Sequence, residues 1–188
     1  DSLRALAQKG QPPLGRTLRR IDGARGPRLV VDVFPTSVMD AVLFTGFSGQ
    51  VYLQPEIQTE AQARAQQATF YQRRDPDGQV ALILGAGNVA SIPPLDTIYK
   101  MFVEGHTAIL KMNPVNEYLG PFLIEALAPL IEAGYLRVVY GGADAGRFLV
   151  EHPDIDDVHI TGSDVTHDLI VWGPPGPERE RRKRENDP

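Results

Sequence analysis

The chain has 188 residues, 42% hydrophobic and 23% charged, which suits one folded core and argues against disorder. Its 19 Lys and Arg against 24 Asp and Glu give a net charge of −5, which argues against a general binder of nucleic acid or anionic membrane. There is no cysteine, so disulfides, Cys-bound metal and a cysteine nucleophile are excluded within these residues, and no apolar run reaches the roughly 18 residues of a membrane span.

Residues 1–27 are rich in Arg, Gly and Pro, with a short apolar period at Leu3, Leu6 and Ala7, and read as a short helix followed by a loop. The run 28–34 is β-rich and ends at Pro35; a second β-like run spans 41–53, interrupted by glycines. Residues 58–71 turn helical, led by Thr59 and Glu60, and stop at the turn Asp75-Pro76-Asp77-Gly78.

Strand and helix then alternate. Strands are expected at 79–84, 107–111, 136–140 and 157–160, and helices at 95–103, 117–133, 143–152 and 165–171. The helix 117–133 has Pro121 in its first turn, Gly134 after its end, and Pro129 expected to bend it. Buried strands joined by helices predict an α/β fold: a Rossmann-like parallel sheet with helices on both faces, preceded by a β-rich segment. The expected division is 1–78 as a helix and β-rich arm, 79–172 as a nucleotide-binding α/β domain, and 173–188 as a charged loop. Arg179, Arg181, Arg182, Lys183 and Arg184 alternate with acids in that tail, the mixture of a solvated surface segment. The first residue is Asp, so a chain processed or incomplete at its start is expected, and no secretory signal opens it.

Ligands of such sheets bind beyond the carboxyl ends of the strands. Three regions there have unusual compositions. Gly85-Ala86-Gly87-Asn88-Val89-Ala90 fits G-x-G-x-x-A, a phosphate-approach pattern, and fits a tight strand-to-helix turn as well. Lys111 closes the strand 107–111 and is followed by Met112, Asn113 and Pro114. Gly141, Gly142 and Gly146, then Thr161-Gly162-Ser163, open two helices, where they suit an anion or plain helix caps. His106, His152, His159 and His167 show no metal-ligand spacing and read as structural, so no metal site is expected.

In this order the segments resemble the cofactor-binding domain of the aldehyde dehydrogenase superfamily. The residues that carry the resemblance are Gly87-Asn88-Val89, the run from Gly105 to Lys111, Ala133-Gly134 with the Val138-Val139 strand, Gly142 and Gly146, His152-Pro153-Asp154-Ile155-Asp156-Asp157, and Ile160-Thr161-Gly162-Ser163. The last two blocks are the most specific. The resemblance covers about half the chain, and the β-rich segment before it is similar to the family's bridging strands. It implies that Asn88, 23 residues before Lys111, donates its amide to the substrate's developing alkoxide. It implies that Lys111 binds the adenosine ribose of NAD or NADP, that Gly142 and Gly146 allow close approach beside the adenine, and that Ser163 binds the pyrophosphate. An aldehyde or acyl-thioester substrate, a cytoplasmic location and a homo-oligomer of the full-length protein follow as expectations.

The chain departs from the family pattern in three places. Gly87 stands where the family usually has an aromatic residue, and Gly-Asn-Val is also similar to the acyl-CoA reductases of the superfamily. Pro114 replaces a glutamate that helps select NAD, which predicts tolerance of NADP. The family's catalytic cysteine and general-base glutamate lie downstream of the Thr-Gly-Ser block, and neither is present here, so the chain is expected to be a fragment of a longer enzyme. The alternative is a non-catalytic binding or scaffold module that keeps the fold.

Overall fold

A computed structural model describes residues 2–12, 18–23 and 26–187, which divide into two compact units meeting at Pro76 and Asp77. The first unit opens with α1 (Ser2–Lys9). It then forms an antiparallel sheet of β1 (Leu18–Gly23), β2 (Gly26–Phe34) and β3 (Gly49–Tyr52), with β2 in the centre. Strand β1 lies in a stretch expected to be a loop. Pairing supplies what its composition lacks: Leu18 sits opposite Val31, and Arg19 forks onto Asp32 across the strands at 2.8 and 3.1 Å.

The β-like run 41–53 is only partly strand. Helix α2 (Val38–Leu43) takes its beginning, because Ser37 and Asp40 form a reciprocal capping box. Asp40 N–H donates to Ser37 Oγ at 3.0 Å, and Ser37 N–H donates back to Asp40 Oδ2 at 2.9 Å. This local pair outweighs the β preference of Val38 and Val42. The expected helix 58–71 is likewise shorter. Helix α3 (Glu60–Ala65) starts on a Thr59–Gln62 capping box and ends before Ala68, whose φ of 50° cannot continue a helix; one 3₁₀ turn (Thr69–Gln72) follows.

The second unit is built on a four-stranded parallel sheet of β4 (Val80–Leu84), β5 (Thr107–Lys111), β6 (Leu136–Val139) and β7 (Asp157–Ile160), in the order β6-β5-β4-β7. Ala81, Leu82 and Ile83 of central β4 are wholly buried. The register pairs Ala81 with Ala108 and Ile83 with Leu110 on one face, where they pack with Leu136, Met101, Leu123, Leu127 and Ile131. Each fully buried Leu or Ile there contributes about 1.5–3 kcal/mol. The opposite face carries Leu84, Lys111 and Ile160.

The crossovers are α4 (Ile92–Tyr99), α5 (Gly120–Ala126) with α6 (Ala128–Glu132), and α7 (Ala143–Val150). Helix α4 starts earlier than expected because Pro93 and Pro94 fall in its first turn, where a missing N–H costs nothing. It runs into a π turn (Lys100–Glu104) that stops at Gly105, with φ 79°. The expected helix 117–133 is broken rather than bent. Its first turn is 3₁₀ (Pro114–Leu119), and α5 and α6 part at Leu127, where Pro129 removes an N–H and crowds the carbonyl four residues back.

After β7 come α8 (Asp164–Trp172) and α9 (Pro177–Glu185). The tail is therefore helical, not a loop. Its alternating charges are i, i+3 and i, i+4 pairs: Arg181 with Glu178 at 2.7 Å and with Glu185, and Arg182 with Glu178 at 3.7 Å. Arg179 and Lys183 both reach Asp168 on α8, and these bonds, Lys183 first, hold the Asp168 carboxyl down to about 2.

Candidate functional site

The carboxyl ends of the second unit's strands surround a cavity of about 750 Å³. Asn88, Lys111, Gly142, Gly146 and Ser163 all line it, although they come from four separate strand ends. Helices α7 and α8 form its far wall through Val150, Thr166 and Leu169. Among the described residues, two basic side chains line it, Lys111 and Arg147, and no carboxylate does.

Lys111 is only 7% exposed, and its ammonium donates to the Met112 carbonyl at 3.2 Å. Burial pushes its pKa down, and nearby Glu117 partly opposes the shift. The Glu117 carboxylate itself accepts from Gly141 N–H at 3.1 Å. The lysine stem runs over α7 at Gly146: a Cβ there would lie 3.6 Å from Lys111 Cε. Gly142 faces open space.

Asn88 is exposed on the loop between β4 and α4. Two asparagines that the sequence reading did not single out hold that loop. Asn113 donates to Gly85 O at 3.3 Å, while its own Oδ1 accepts from Val115 N–H at 3.1 Å. Buried Asn116 donates to Ala86 O at 3.0 Å and to Gly87 O at 3.2 Å. Their signal was the Asn-x-x-Asn pair just beyond the carboxyl end of β5. The glycines of the G-x-G-x-x-A stretch have protein-packing reasons. A Cβ on Gly85 would meet Lys111 O at 3.1 Å and Pro93 at 3.2 Å, and one on Gly87 would meet the Asn113 side chain at 3.0 Å.

Ser163 caps α8, accepting from Thr166 N–H at 3.2 Å, and Val165 N–H is taken by the Asp164 side chain at 2.9 Å. The start of α8 therefore offers the cavity the hydroxyls of Ser163 and Thr166 rather than a row of bare amides. The preceding Thr161 is fixed by donating to Asp96 at 2.8 Å, and His159 lies 3.3 Å from the same carboxylate.

Glu104, His106 and Asp157 converge at the opposite, amino-terminal end of the strands. Sequence spacing did not reveal this cluster, because Asp157 arrives from a distant strand. Lys100 Nζ sits where a cation would, 2.7 Å from both Glu104 and Asp157. Burial works to lower the Lys100 pKa, but the two carboxylates outweigh it and the net shift is upward. The cluster is an ion-pair network.

The chain is an α/β protein whose cavity lies at the carboxyl edge of a parallel sheet, the edge at which doubly wound domains in general hold their ligands. The profile of the aldehyde dehydrogenase family matches residues 35–172, and the chain belongs to that family. It is 30% identical over 120 residues to an aldehyde dehydrogenase LUC3 of a Fusarium species, covering 64% of this chain and 24% of that protein. It is 33% identical over 92 residues to an N-succinylglutamate 5-semialdehyde dehydrogenase of Sphingopyxis alaskensis, covering 48% and 19%. With a putative aldehyde dehydrogenase FUS7 of Gibberella fujikuroi the identity is 31% over 117 residues, covering 62% and 24%. The matched stretch thus spans no more than about a quarter of these relatives. Among the described residues no helix is long and apolar enough to cross a membrane.

Proposed function

We propose that this chain is the cofactor-binding part of an NAD(P)-dependent aldehyde dehydrogenase-like oxidoreductase. The complete enzyme would oxidise an aldehyde, or reduce an acyl thioester, through a cysteine outside these 188 residues. The observation that carries the reading is the convergence of Asn88, Lys111, Gly142, Gly146 and Ser163 on one cavity.

The donor set suits a dinucleotide. It combines a buried ammonium with N–H groups to spare, hydroxyls at the start of α8, and a glycine, Gly142, that leaves the start of α7 open to close approach. When bound, the nicotinamide supplies the hydride acceptor or donor. In this reading the Lys111 ammonium hydrogen-bonds the adenosine ribose. Gly142 and Gly146 keep the α7 surface flat beside the adenine, and the Ser163 and Thr166 hydroxyls meet the pyrophosphate. Asn88 donates its amide N–H to the substrate oxygen as negative charge builds there. Asn113 and Asn116 fix the loop so that this donor needs no reorganisation during the reaction.

The test is the complete protein assayed with NAD and NADP against a panel of aldehydes and acyl thioesters. Asn88→Ala is expected to lower turnover by about a hundred- to a thousandfold while affecting cofactor affinity far less. Failure of both dinucleotides to bind would end the reading. Binding of a dinucleotide without turnover of any substrate would favour a non-catalytic module.

A further inference from the structure

We propose that Asp96 is a positioning residue for this site: its carboxylate clamps the Thr161-Gly162-Ser163 corner to α4 and so fixes one side of the cavity. The inference rests on the dinucleotide reading and adds to it a residue that does not itself line the cavity. Strand β7 is an edge of the sheet, and its pairing with β4 ends at Ile160. Just beyond, Thr161 Oγ1 donates to Asp96 Oδ2 at 2.8 Å. His159, two residues earlier and so on the same face of β7, brings Nε2 to 3.3 Å from the same oxygen. The carboxylate is thus met from two points along the strand.

Aspartate is a poor helix former, and the Asp96 side chain on α4 is only 23% exposed, so its carboxylate is unfavourable there unless it is bonded. The bond it makes fixes a hydroxyl of the cavity wall. Thr161 lines the cavity and its proton is committed to Asp96, so any hydrogen bond from that oxygen to a ligand is made as an acceptor. The same bond selects one rotamer of the β-branched side chain. Helix α4 is a firm anchor, because its Pro93 and Thr97 are fully buried. The loop before α4 carries Asn88, and Ser163 lies two residues beyond Thr161; both line the cavity. Asp96 therefore joins the element that follows the proposed substrate donor to the corner proposed to meet the pyrophosphate, and holds the spacing between them.

Calorimetric titration of the complete protein with NAD and NADP, with thermal melts on the same samples, tests this on Asp96→Ala, Asp96→Asn, Thr161→Val and the Asp96→Ala, Thr161→Val double variant. Asp96→Ala should weaken binding of whichever dinucleotide the parent takes by about tenfold. Asp96→Asn keeps an oxygen that accepts from Thr161 and should stay within about threefold of the parent. In the Thr161→Val background Asp96→Ala should change affinity no further, since the bond it would break is already gone. An Asp96→Ala protein that melts lower but binds as the parent does, measured well below its melt, makes Asp96 a purely structural contact and overturns the inference. So do equal losses in Asp96→Asn and Asp96→Ala, and so do additive losses from Asp96→Ala and Thr161→Val. If Asp96→Ala does not fold, Asp96→Gln takes its place: it moves the acceptor outward by one methylene and should show the same tenfold loss, and an affinity equal to that of Asp96→Asn overturns the inference. Each of these results leaves the dinucleotide reading standing. Failure of the parent to bind either dinucleotide overturns that reading, and this inference with it.

Discussion

Replacing Asn116 should loosen the loop between β4 and α4 from beneath. This side chain is 6% exposed and its single amide nitrogen serves two carbonyls, Ala86 O at 3.0 Å and Gly87 O at 3.2 Å. Ala86 is itself 2% exposed, so water cannot readily take over the lost donor. Asn116→Ala removes two hydrogen bonds of about 1 kcal/mol each and leaves a carbonyl unsatisfied, for a cost of about 2–3 kcal/mol. Asn116→Asp keeps the volume and branching, yet turns a donor into a carboxylate facing two carbonyl oxygens. Its cost should equal or exceed that of alanine, about 3 kcal/mol at neutral pH. At about 4 °C per kcal/mol for a unit of this size, both variants should melt roughly 8–12 °C below the parent. The Asp variant should regain part of the loss as pH falls below about 5, when the protonated carboxyl again donates and burial has raised its pKa. Thermal melts at neutral and mildly acidic pH decide the matter. If Asn116→Asp melts within a degree or so of the parent at neutral pH, the carbonyls do not depend on that amide and the argument fails.

Two further outcomes follow from the same geometry. Gly146→Ala places a methyl at ordinary contact distance, 3.6 Å, from Lys111, so the fold should accept it and gain about 0.5–1 kcal/mol of helix stability, while dinucleotide affinity falls; a melt and a titration on the same sample read both. Asp168, lowered from 3.8 to about 2 by Lys183 and Arg179, is ionised in the folded chain, so its bonds to α9 are fully present above pH 3.8 and are lost as pH falls through about 2. Trp172, the single tryptophan and the last residue of α8, should report that loss as an emission change centred near pH 2, and a midpoint near 4 would mean that the pairs do not form in solution.

The parallel sheet was legible because its two inner strands, β4 and β5, are largely buried and read as apolar runs, with 107–111 and 157–160 matching residue for residue. The first unit was less legible, since α2 is decided by one Ser37–Asp40 box and β1 by partners on β2. The tail misled for a related reason: mixed charge marks solvent exposure, and only its three- and four-residue spacing separates a helix from a loop. At the site, residues that directly follow strands could be foreseen to converge, because a parallel register brings all carboxyl ends to one edge. The grip of Asn113 and Asn116, the Lys100 network and the position of Arg147 depend on side-chain directions that sequence spacing does not encode.

The strand order also sets a sequence of assembly. The contact joining the start of β5 to the residue before β4 spans 28 positions, whereas the one joining β4 to the residue before β7 spans 76. Closing the longer loop costs about 0.9 kcal/mol more in chain entropy, before β7 has made any contact of its own. Strand β7 is half-buried along its whole length, pairs only with β4, and leads directly into the Thr161-Gly162-Ser163 corner. That corner is therefore expected to join the sheet late and leave it early. A ligand touching both Lys111 on β5 and Ser163 beyond β7 would tie the inner sheet to its edge strand, and its concentration would then set how long the finished edge persists.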